Sequence, residues 1–274
     1  MAEIYISAFT ADFRHYDDLA DWIAAFPELP IGAEMAVAWI TPDFYELLEP
    51  QIPRFRQLPI TLHGPFMEMC TRPGSEDEQI LHRQLELSCE LYRRFDAKSI
   101  VLHTHSRGLP GEEPAETRRR VVQVLNHWIP VMTARGMAVT VENVGYPGKH
   151  NAFYTQEQFV QLFGELPEET GCLIDLGHAM LNGWDIPGLI RTLGTKIKGY
   201  HIHTNDGVGD THIPIYAPGS ILSREEMDGI LRTIADVTPD AHLILEYSPN
   251  CGVTKEILHQ DIRAIASVCG LLPG

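Results

Sequence analysis

Apolar and amphipathic segments alternate along the whole chain. Apolar segments rich in β-branched and aromatic residues predict strands at residues 4–10, 31–38, 59–66, 99–106, 138–144, 171–178, 197–204 and 242–248. Segments with apolar residues three or four positions apart predict helices at residues 17–27, 42–57, 75–95, 116–134, 155–166, 187–193, 224–235 and 255–268. The pattern therefore predicts eight successive strand–helix units.

The predicted strands are almost continuously apolar, which is typical of a parallel sheet covered on both faces. Eight such strands alternating with eight helices favour an α/β fold, the (β/α)8 or TIM barrel. The alternative is an open, doubly wound sheet, but no glycine-rich phosphate-binding motif follows the first strand. No linker or repeat interrupts the pattern, so we expect a single domain over residues 1–274.

Composition limits the partners of the protein. A formal net charge of -16 repels polyanions on average, which disfavours nucleic acid as a partner. No apolar run is long enough to span a membrane, and the N-terminus lacks a basic region followed by an apolar one. The five cysteines include no CxxC pair, as expected for reduced thiols. We expect a cytoplasmic protein with no membrane contact that acts on a small molecule.

Four metal-binding side chains are concentrated in residues 200–221. His201 and His203 share a face of the predicted seventh strand, because alternate side chains of a strand point the same way. Asp210 and His212 are also two positions apart and share a face if the loop there is extended. Imidazole combined with carboxylate suits zinc, iron or manganese. This segment alone leaves open a polar loop with hydrogen-bonded histidines.

Similar residues recur at the C-terminal ends of the other predicted strands, which face one pocket in a barrel of this type. The candidate metal ligands are His63, His103, Glu142, Asp175, His178, His203, Asp210, His212 and Glu246. Any one of them could be a hydrogen-bonded core residue. Together they would bury many ionisable groups, which is costly unless cations neutralise them. The sequence therefore predicts a metal site at the mouth of the barrel.

The motifs around these residues are LHGPF, VLHTHS, VENV, LIDLGHA, HTND, GDTH and LILEYSP. They resemble those of the xylose isomerase-like barrels, which include sugar phosphate isomerases and epimerases and the endonuclease IV (family-2 apurinic endonuclease) group. The resemblance spans almost the whole chain. It implies a single-metal site, with one Mn, Mg, Co, Fe or Zn ion, at Glu142, Asp175, His203 and Glu246. In such isomerases, residues equivalent to Glu142 and Glu246 move the substrate proton, which implies a catalytic role for both.

The remaining five candidates extend the resemblance further. With His63, His103, His178, Asp210 and His212, the set is similar to the trinuclear zinc site of endonuclease IV, a phosphodiester hydrolase, which implies up to three zinc ions as cofactors. Attack on phosphorus gains from several metals, whereas proton transfer beside a carbonyl needs one. The alternative is that the extra histidines bind substrate hydroxyls or support other ligands.

The candidate substrate-binding residues are Glu34, His105, Arg107, Tyr146, Lys149, Trp184, His201 and Tyr216. The aromatic members suit a sugar or base, although each could simply pack at the barrel rim. Arg107 and Lys149 are the nearest cations for a phosphate. Glu34 could orient substrate or support a ligand, and His105 and His201 lie two residues from stronger ligand candidates.

These residues lead to three hypotheses. The first is a metallohydrolase that cleaves a phosphoester or phosphodiester of a small sugar-containing molecule. The second is a single-metal sugar or cyclitol isomerase or epimerase, and the third is a non-catalytic binding barrel. An apurinic-site DNA endonuclease is disfavoured, because GPFMEMC after His63 lacks the polar, tyrosine-bearing segment of that group and no arginine cluster appears in the strand-end loops. The sequence does not decide whether the chain forms a homo-oligomer.

Overall fold

Eight parallel strands close into a barrel. The computed structural model describes residues 2–145 and 152–272. The strands are β1 (Ile4–Ser7), β2 (Ile31–Val37), β3 (Ile60–Pro65), β4 (Ile100–His103), β5 (Val139–Glu142), β6 (Gly171–Asp175), β7 (Ile197–Ile202) and β8 (His242–Leu245). Each strand pairs in parallel with the next, and β8 pairs with β1. The predicted (β/α)8 fold, a single domain, is therefore confirmed.

Helices follow the strands and cover the outside of the barrel. They are α1 (Tyr16–Ala24), α2 (Phe44–Leu48), α3 (Ile52–Phe55), α4 (Glu76–Phe95), α5 (Pro114–Thr133), α6 (Gln156–Leu162), α7 (Leu176–Leu181), α8 (Ile186–Leu193), α9 (Arg224–Val237) and α10 (Lys255–Val268). Several begin after a hydroxyl residue whose side chain accepts a backbone N–H three positions on, as Ser75 does for α4 and Ser223 for α9. Within the described ranges, no helix is long and apolar enough to cross a membrane.

The inner face of the barrel has an apolar layer directly below a polar one. Tyr5, Val101, Leu173 and Ile244 form a buried cluster that is separate from the main core. Two positions further along the same strands come Ser7, His103, Asp175 and Glu246. Because alternate side chains of a strand share a face, the polar layer lies above the apolar cluster, toward the C-terminal ends of the strands.

All eight strands are shorter than predicted, and two of them, β6 and β1, end where a helix or a 3-10 turn begins. The sixth predicted strand included His178, but β6 ends at Asp175 and α7 begins at once. The cause is local, because the Asp175 side chain caps α7 by accepting the His178 backbone N–H over 2.6 Å. The first strand likewise ends at Ser7 and is followed by a 3-10 turn, Ala8–Ala11. We had predicted that His178 ends the strand. It lies instead in the first turn of α7.

Candidate metal centre

The predicted ligands meet at the C-terminal mouth of the barrel. Their donor atoms form overlapping groups, in each of which the atoms lie within 4.8 Å of one another. Three of the groups together contain all nine candidates: His63 with His103 and Glu142, Asp175 with His203 and Glu246, and His178 with His203, Asp210 and His212. Each group has the composition and size to hold a metal ion. We call them the first, second and third donor groups.

The first donor group joins three neighbouring strands. His103 on β4 pairs with Glu142 on β5 in the strand register, and both lie beside His63 on β3. Glu142 Oε2 lies 3.4 Å from His103 Nε2 and 3.7 Å from His63 Nε2. The two Nε2 atoms are themselves 3.1 Å apart. Two imidazoles and a carboxylate that converge on one point are a common protein environment for zinc.

The second donor group lies deepest in the barrel. Asp175 and His203 have no exposed surface, and Asp175 Oδ2 lies 2.9 Å from His203 Nε2. Glu246, which follows β8, is 3% exposed, and its Oε2 lies 3.5 Å from His201 Nδ1 and 3.6 Å from His212 Nδ1. Glu142 Oε1 points away from the first group and lies 3.5 Å from His178 Nδ1. The two oxygens of Glu142 therefore have different neighbours: Oε2 faces the imidazoles of the first group, and Oε1 faces His178 and His201.

The third donor group is built by α7 and by the long loop after β7. His178 Nε2 lies 3.0 Å from Asp210 Oδ2, and His212 Nε2 lies 3.3 Å from the same oxygen. The loop is closed at its base, because Thr204 and Ile213 exchange backbone hydrogen bonds of 3.0 and 2.9 Å. The extended backbone that we considered for Asp210 and His212 is wrong, because His212 has a φ of 44°. This left-handed turn, and not strand alternation, brings the two side chains together.

Backbone carbonyls hold four of the histidines in place through Nδ1. His63 contacts the Gly64 carbonyl at 2.8 Å, His178 that of Asn143 at 2.9 Å, His203 that of Thr204 at 3.3 Å and His212 that of Glu246 at 3.0 Å. A ring whose Nδ1–H donates to a carbonyl leaves Nε2 as the free donor atom for a metal. This arrangement is typical of metal-binding histidines.

Asn143 connects β5, β6 and α7, and the sequence analysis missed it. Its side chain accepts the Asp175 backbone N–H at 2.9 Å and donates to the Asp175 carbonyl at 3.0 Å, while its own carbonyl receives His178 Nδ1. The clue in the sequence was its position, directly after the strand-end residue Glu142. Asn143 fixes the geometry between the first and third donor groups.

His201 lies at the centre of the carboxylates, where it contacts the candidate ligand Glu142; the sequence left open a contact with substrate or with a neighbouring ligand. It is fully buried, with Nε2 3.1 Å from Glu34 Oε1 and Nδ1 3.2 Å from Glu142 Oε1. Glu34 is 1% exposed and lies behind His201, and neither side chain lines the pocket above the donor groups. Both nitrogens of His201 face carboxylates, whereas the four histidines above each have one nitrogen on a carbonyl.

The pKa values of these groups show how strongly they interact. Burial alone would raise the pKa of Asp175, but the imidazoles of His178 and His203 hold it well below its usual range. Burial would lower the pKa of His212, but Asp210 and Glu246 outweigh it and raise that pKa to about 9. Burial lowers the pKa of His63 to about 4, and neighbouring His103 adds to the effect. The carboxylates favour positive charge at this site, whether as protons or as cations.

The donor set fits divalent metal ions. Glu142 Oε2 is buried and has no hydrogen-bond partner among the described residues, although it lies beside two imidazole nitrogens. A buried carboxylate oxygen without a partner is costly unless a cation or a proton satisfies it. Nitrogen and oxygen donors in groups of three and four match zinc, and also manganese or iron.

The other predicted substrate contacts are scattered. His105 and Arg107 line a separate cavity of about 670 Å³ beyond Phe66, where His105 Nδ1 lies 2.9 Å from Glu68 Oε2. Trp184 packs on Phe159 with ring centroids 5.4 Å apart. The Tyr216 hydroxyl donates to Asp228 over 2.6 Å, so it is already engaged outside the pocket. Trp184 and Tyr216 do not line the pocket above the donor groups, and Tyr146 and Lys149 lie outside the described residues.

The pocket above the donor groups has an apolar side that the sequence analysis missed. It encloses about 350 Å³ and reaches donors of the first and third groups together with Glu246. Facing them are apolar side chains from the loops after β1, β2, β3 and β5: Phe9, Phe13, Ala38, Ile40, Phe66 and Val144. Phe9, Ala38, Phe66 and Val144 fall within predicted strands, where an apolar residue gives no signal that separates pocket lining from core.

Solved structures with the same fold cover nearly all of this chain at low sequence identity. A D-tagatose 3-epimerase-like protein is 15% identical, with a TM-score of 0.73 and 98% of each chain covered. IOLI protein, solved with a binding zinc atom, is 15% identical, with a TM-score of 0.75 and 99% of each chain covered. An AP endonuclease, family 2, from Brucella melitensis is 15% identical, with a TM-score of 0.67 and 96% of this chain and 99% of that chain covered.

No curated protein matched the chain. The structural neighbours include epimerases, a dehydratase and an endonuclease-family protein, so their shared fold does not select one reaction. A family model described as xylose isomerase-like TIM barrel, AP endonuclease family 2, matches residues 49–266, which contain all nine candidate ligands. The chain thus belongs to the xylose isomerase-like TIM barrel family.

Proposed function

We propose that the protein is a metallohydrolase that cleaves a phosphoester or phosphodiester of a small molecule, using up to three divalent ions of which zinc suits the donors best. The main support is that three of five overlapping donor groups together contain all nine candidate ligands, while the other two groups include His201. One ion would need only Glu142, Asp175, His203 and Glu246. His178, Asp210 and His212, of which only His178 is buried, would then hold no ion.

The residues of each group have defined roles in this proposal. His63, His103 and Glu142 would hold one ion, Asp175, His203 and Glu246 a second, and His178, Asp210 and His212 a third. Bound divalent ions supply Lewis acidity for phosphoryl oxygens and activate water at neutral pH. Glu142 Oε2, which lacks a hydrogen-bond partner among the described residues, is the atom available to take up a proton.

Metal content tests this proposal directly. Purified protein incubated with zinc and then desalted should retain about three ions per chain by elemental analysis, and it should hydrolyse phosphoesters such as p-nitrophenyl phosphate or bis(p-nitrophenyl) phosphate. His212→Ala should retain about one zinc ion fewer and lose at least about 100-fold in kcat/KM. His127→Ala is the matched control, because His127 is exposed on α5. Unchanged zinc content in His212→Ala would contradict the three-ion assignment.

A second candidate is a single-metal isomerase or epimerase of a sugar or cyclitol. The observation that favours it is that two buried carboxylates, Glu142 and Glu246, line the same pocket. Paired carboxylates can move a proton between two faces of a substrate carbon. Retention of one ion, with exchange of solvent deuterium into a ketose, would favour this candidate over the hydrolase.

A further inference from the structure

Three phenylalanines from two strand-end loops form a continuous wall beside the donor groups. We call Phe9, Phe13 and Phe66 the aromatic wall. Phe13 contacts Phe9 and Phe66, with ring centroids 5.6 and 5.5 Å apart. All three line the same 350 Å³ pocket as the candidate ligands, a volume that suits a small ligand.

The aromatic wall contacts the candidate ligands directly. Phe66 stacks on the imidazole of His63, with centroids 4.2 Å apart and planes inclined by 18°. Phe9 meets the His212 ring edge to face at 5.3 Å. The wall therefore flanks both the first and the third donor groups. A ligand bound through its polar end at these groups would place the next part of its structure against the phenylalanine rings.

Backbone strain supports a specific role for Phe13. Asp12 and Phe13 both have left-handed backbone conformations, with φ of 56° and 50°. Two consecutive residues of this kind are uncommon, and the conformation is unfavourable for a bulky side chain. The strain turns the chain so that Phe13 lies between Phe9 and Phe66. Ile40, which also lines the pocket, is 66% exposed, although a residue of its type is usually buried.

The side of the pocket opposite the candidate ligands offers few partners to sugar hydroxyls. Apart from the candidate ligands, Thr41 is the one polar residue among the described side chains that line it, and none of those side chains is lysine or arginine. Several sugar hydroxyls would lose their hydrogen bonds to water without gaining protein partners in return. A flat apolar group would instead gain from the removal of its surface and that of the rings from water.

We infer that the substrate carries a planar apolar group, of about the size of one aryl ring, which packs on the aromatic wall while its polar end reaches the donor groups. The inference rests on the proposed function in taking the donor groups as the anchor for that polar end. It narrows the substrate class from phosphoesters in general to those of aryl-like alcohols, and it places the sugar predicted from the sequence outside the pocket.

Two hydroxamates test the aromatic wall without any phosphoester chemistry. Both bind zinc through the same hydroxamate group, and they differ only in the group attached to it, which is phenyl or methyl. Benzohydroxamate should bind zinc-loaded protein about 10-fold or more tightly than acetohydroxamate in calorimetric titrations. Phe66→Leu should reduce this ratio to about 3 or less, because leucine keeps an apolar surface but removes the flat stacking face. Phe163→Leu, whose ring packs on Phe159 outside the pocket, should leave the ratio unchanged.

The outcomes separate this inference from the proposed function. Equal affinities of the two hydroxamates in the zinc-loaded protein would overturn the inference and leave the hydrolase proposal standing. A preference that persists in both Phe66→Leu and Phe9→Leu would also overturn it. The third outcome is that the parent protein prefers benzohydroxamate, Phe66→Leu loses this preference, and neither phosphoester is hydrolysed. That outcome would overturn the hydrolase proposal and support the aromatic wall. Zinc content and circular dichroism of each variant show that it is folded and loaded.

Discussion

At the scale of single residues, close packing at Gly177 positions the buried histidine of the second donor group. A Cβ atom built on Gly177 would lie 2.0 Å from Cε1 and 2.4 Å from Nδ1 of His203. Neither atom can give way easily, because His203 is fully buried and its Nδ1 faces the Thr204 carbonyl. The first turn of α7 and the ring of His203 therefore fit together only when residue 177 has no side chain.

Gly177→Ala should destabilise the fold by about 2 kcal/mol and reduce zinc retention, because the added methyl group displaces His203 or α7. Urea denaturation and elemental analysis measure the two effects. Gly229→Ala in α9 is the matched control, since a Cβ atom there meets nothing within 4 Å. The control should be neutral or stabilising by up to about 1 kcal/mol. Equal stability of the two variants would refute the packing argument.

At the scale of elements, a buried hydrogen bond fastens the last helix to the barrel. The Tyr247 hydroxyl, just after β8, donates to Asp261 on α10 over 2.9 Å. Asp261 is 4% exposed, and burial raises its pKa to about 6, although the bond from Tyr247 partly opposes the shift. Because the pKa in the folded state lies above that of an unfolded aspartate, the folded state binds the proton more tightly.

This shift fixes the sign of a pH effect on stability. Between about pH 4 and pH 6 the folded state holds more protons than the unfolded state, so the contribution of Asp261 to stability falls as pH rises and is constant outside that window. A difference of about two pKa units corresponds to at most about 3 kcal/mol. Asp261→Asn keeps an acceptor for Tyr247 and removes the titration.

We therefore expect Asp261→Asn to gain stability relative to the parent as pH rises from 4 to 6, and to stay more stable above pH 6. Urea denaturation at several pH values gives this difference, in which titrations common to both proteins cancel. The matched control is Asp236→Asn, the same exchange at an exposed position on α9. A pH-independent difference between Asp261→Asn and the parent would show that Asp261 does not titrate in this range.

At the scale of the whole molecule, the barrel concentrates ionisable groups at one end. Glu34, Glu142, Asp175, His201 and His203 are each at most 1% exposed, and further carboxylates and imidazoles surround them. Such a cluster depends on internal ion pairs, which are sensitive to the loss of either partner. Divalent ions would add attraction to several carboxylates at once and would link β3 through β8.

Zinc should therefore raise the thermal stability of the metal-free protein. At a free concentration about 100-fold above the dissociation constant, binding to the folded state contributes about 2.7 kcal/mol, which for a chain of this length raises Tm by about 5–10 °C. Differential scanning fluorimetry with zinc or with a chelator measures the shift. His212→Ala should show a smaller rise than His127→Ala. Equal Tm values with zinc and chelator would argue against the metal centre.

The sequence predicted the barrel and the nine candidate ligands at its mouth, because both predictions depend on patterns between residues close together in the chain. Period-2 alternation placed His103 two positions after Val101 and Glu246 two positions after Ile244 on the inner face. A parallel barrel carries every strand end to the same mouth. Those two facts were enough to predict that side chains from β3 through β8 would meet.

Contacts between distant segments and non-extended backbone decided the rest. The left-handed turn at His212, the burial of His201 behind Glu142 and the strained turn that inserts Phe13 into the pocket all depend on neighbours far apart in the chain. A local pattern does not encode the distance between two loops. The sequence alone thus determined which chemistry gathers at the barrel mouth, and only the tertiary structure decided how the donors divide into groups and which surface faces them.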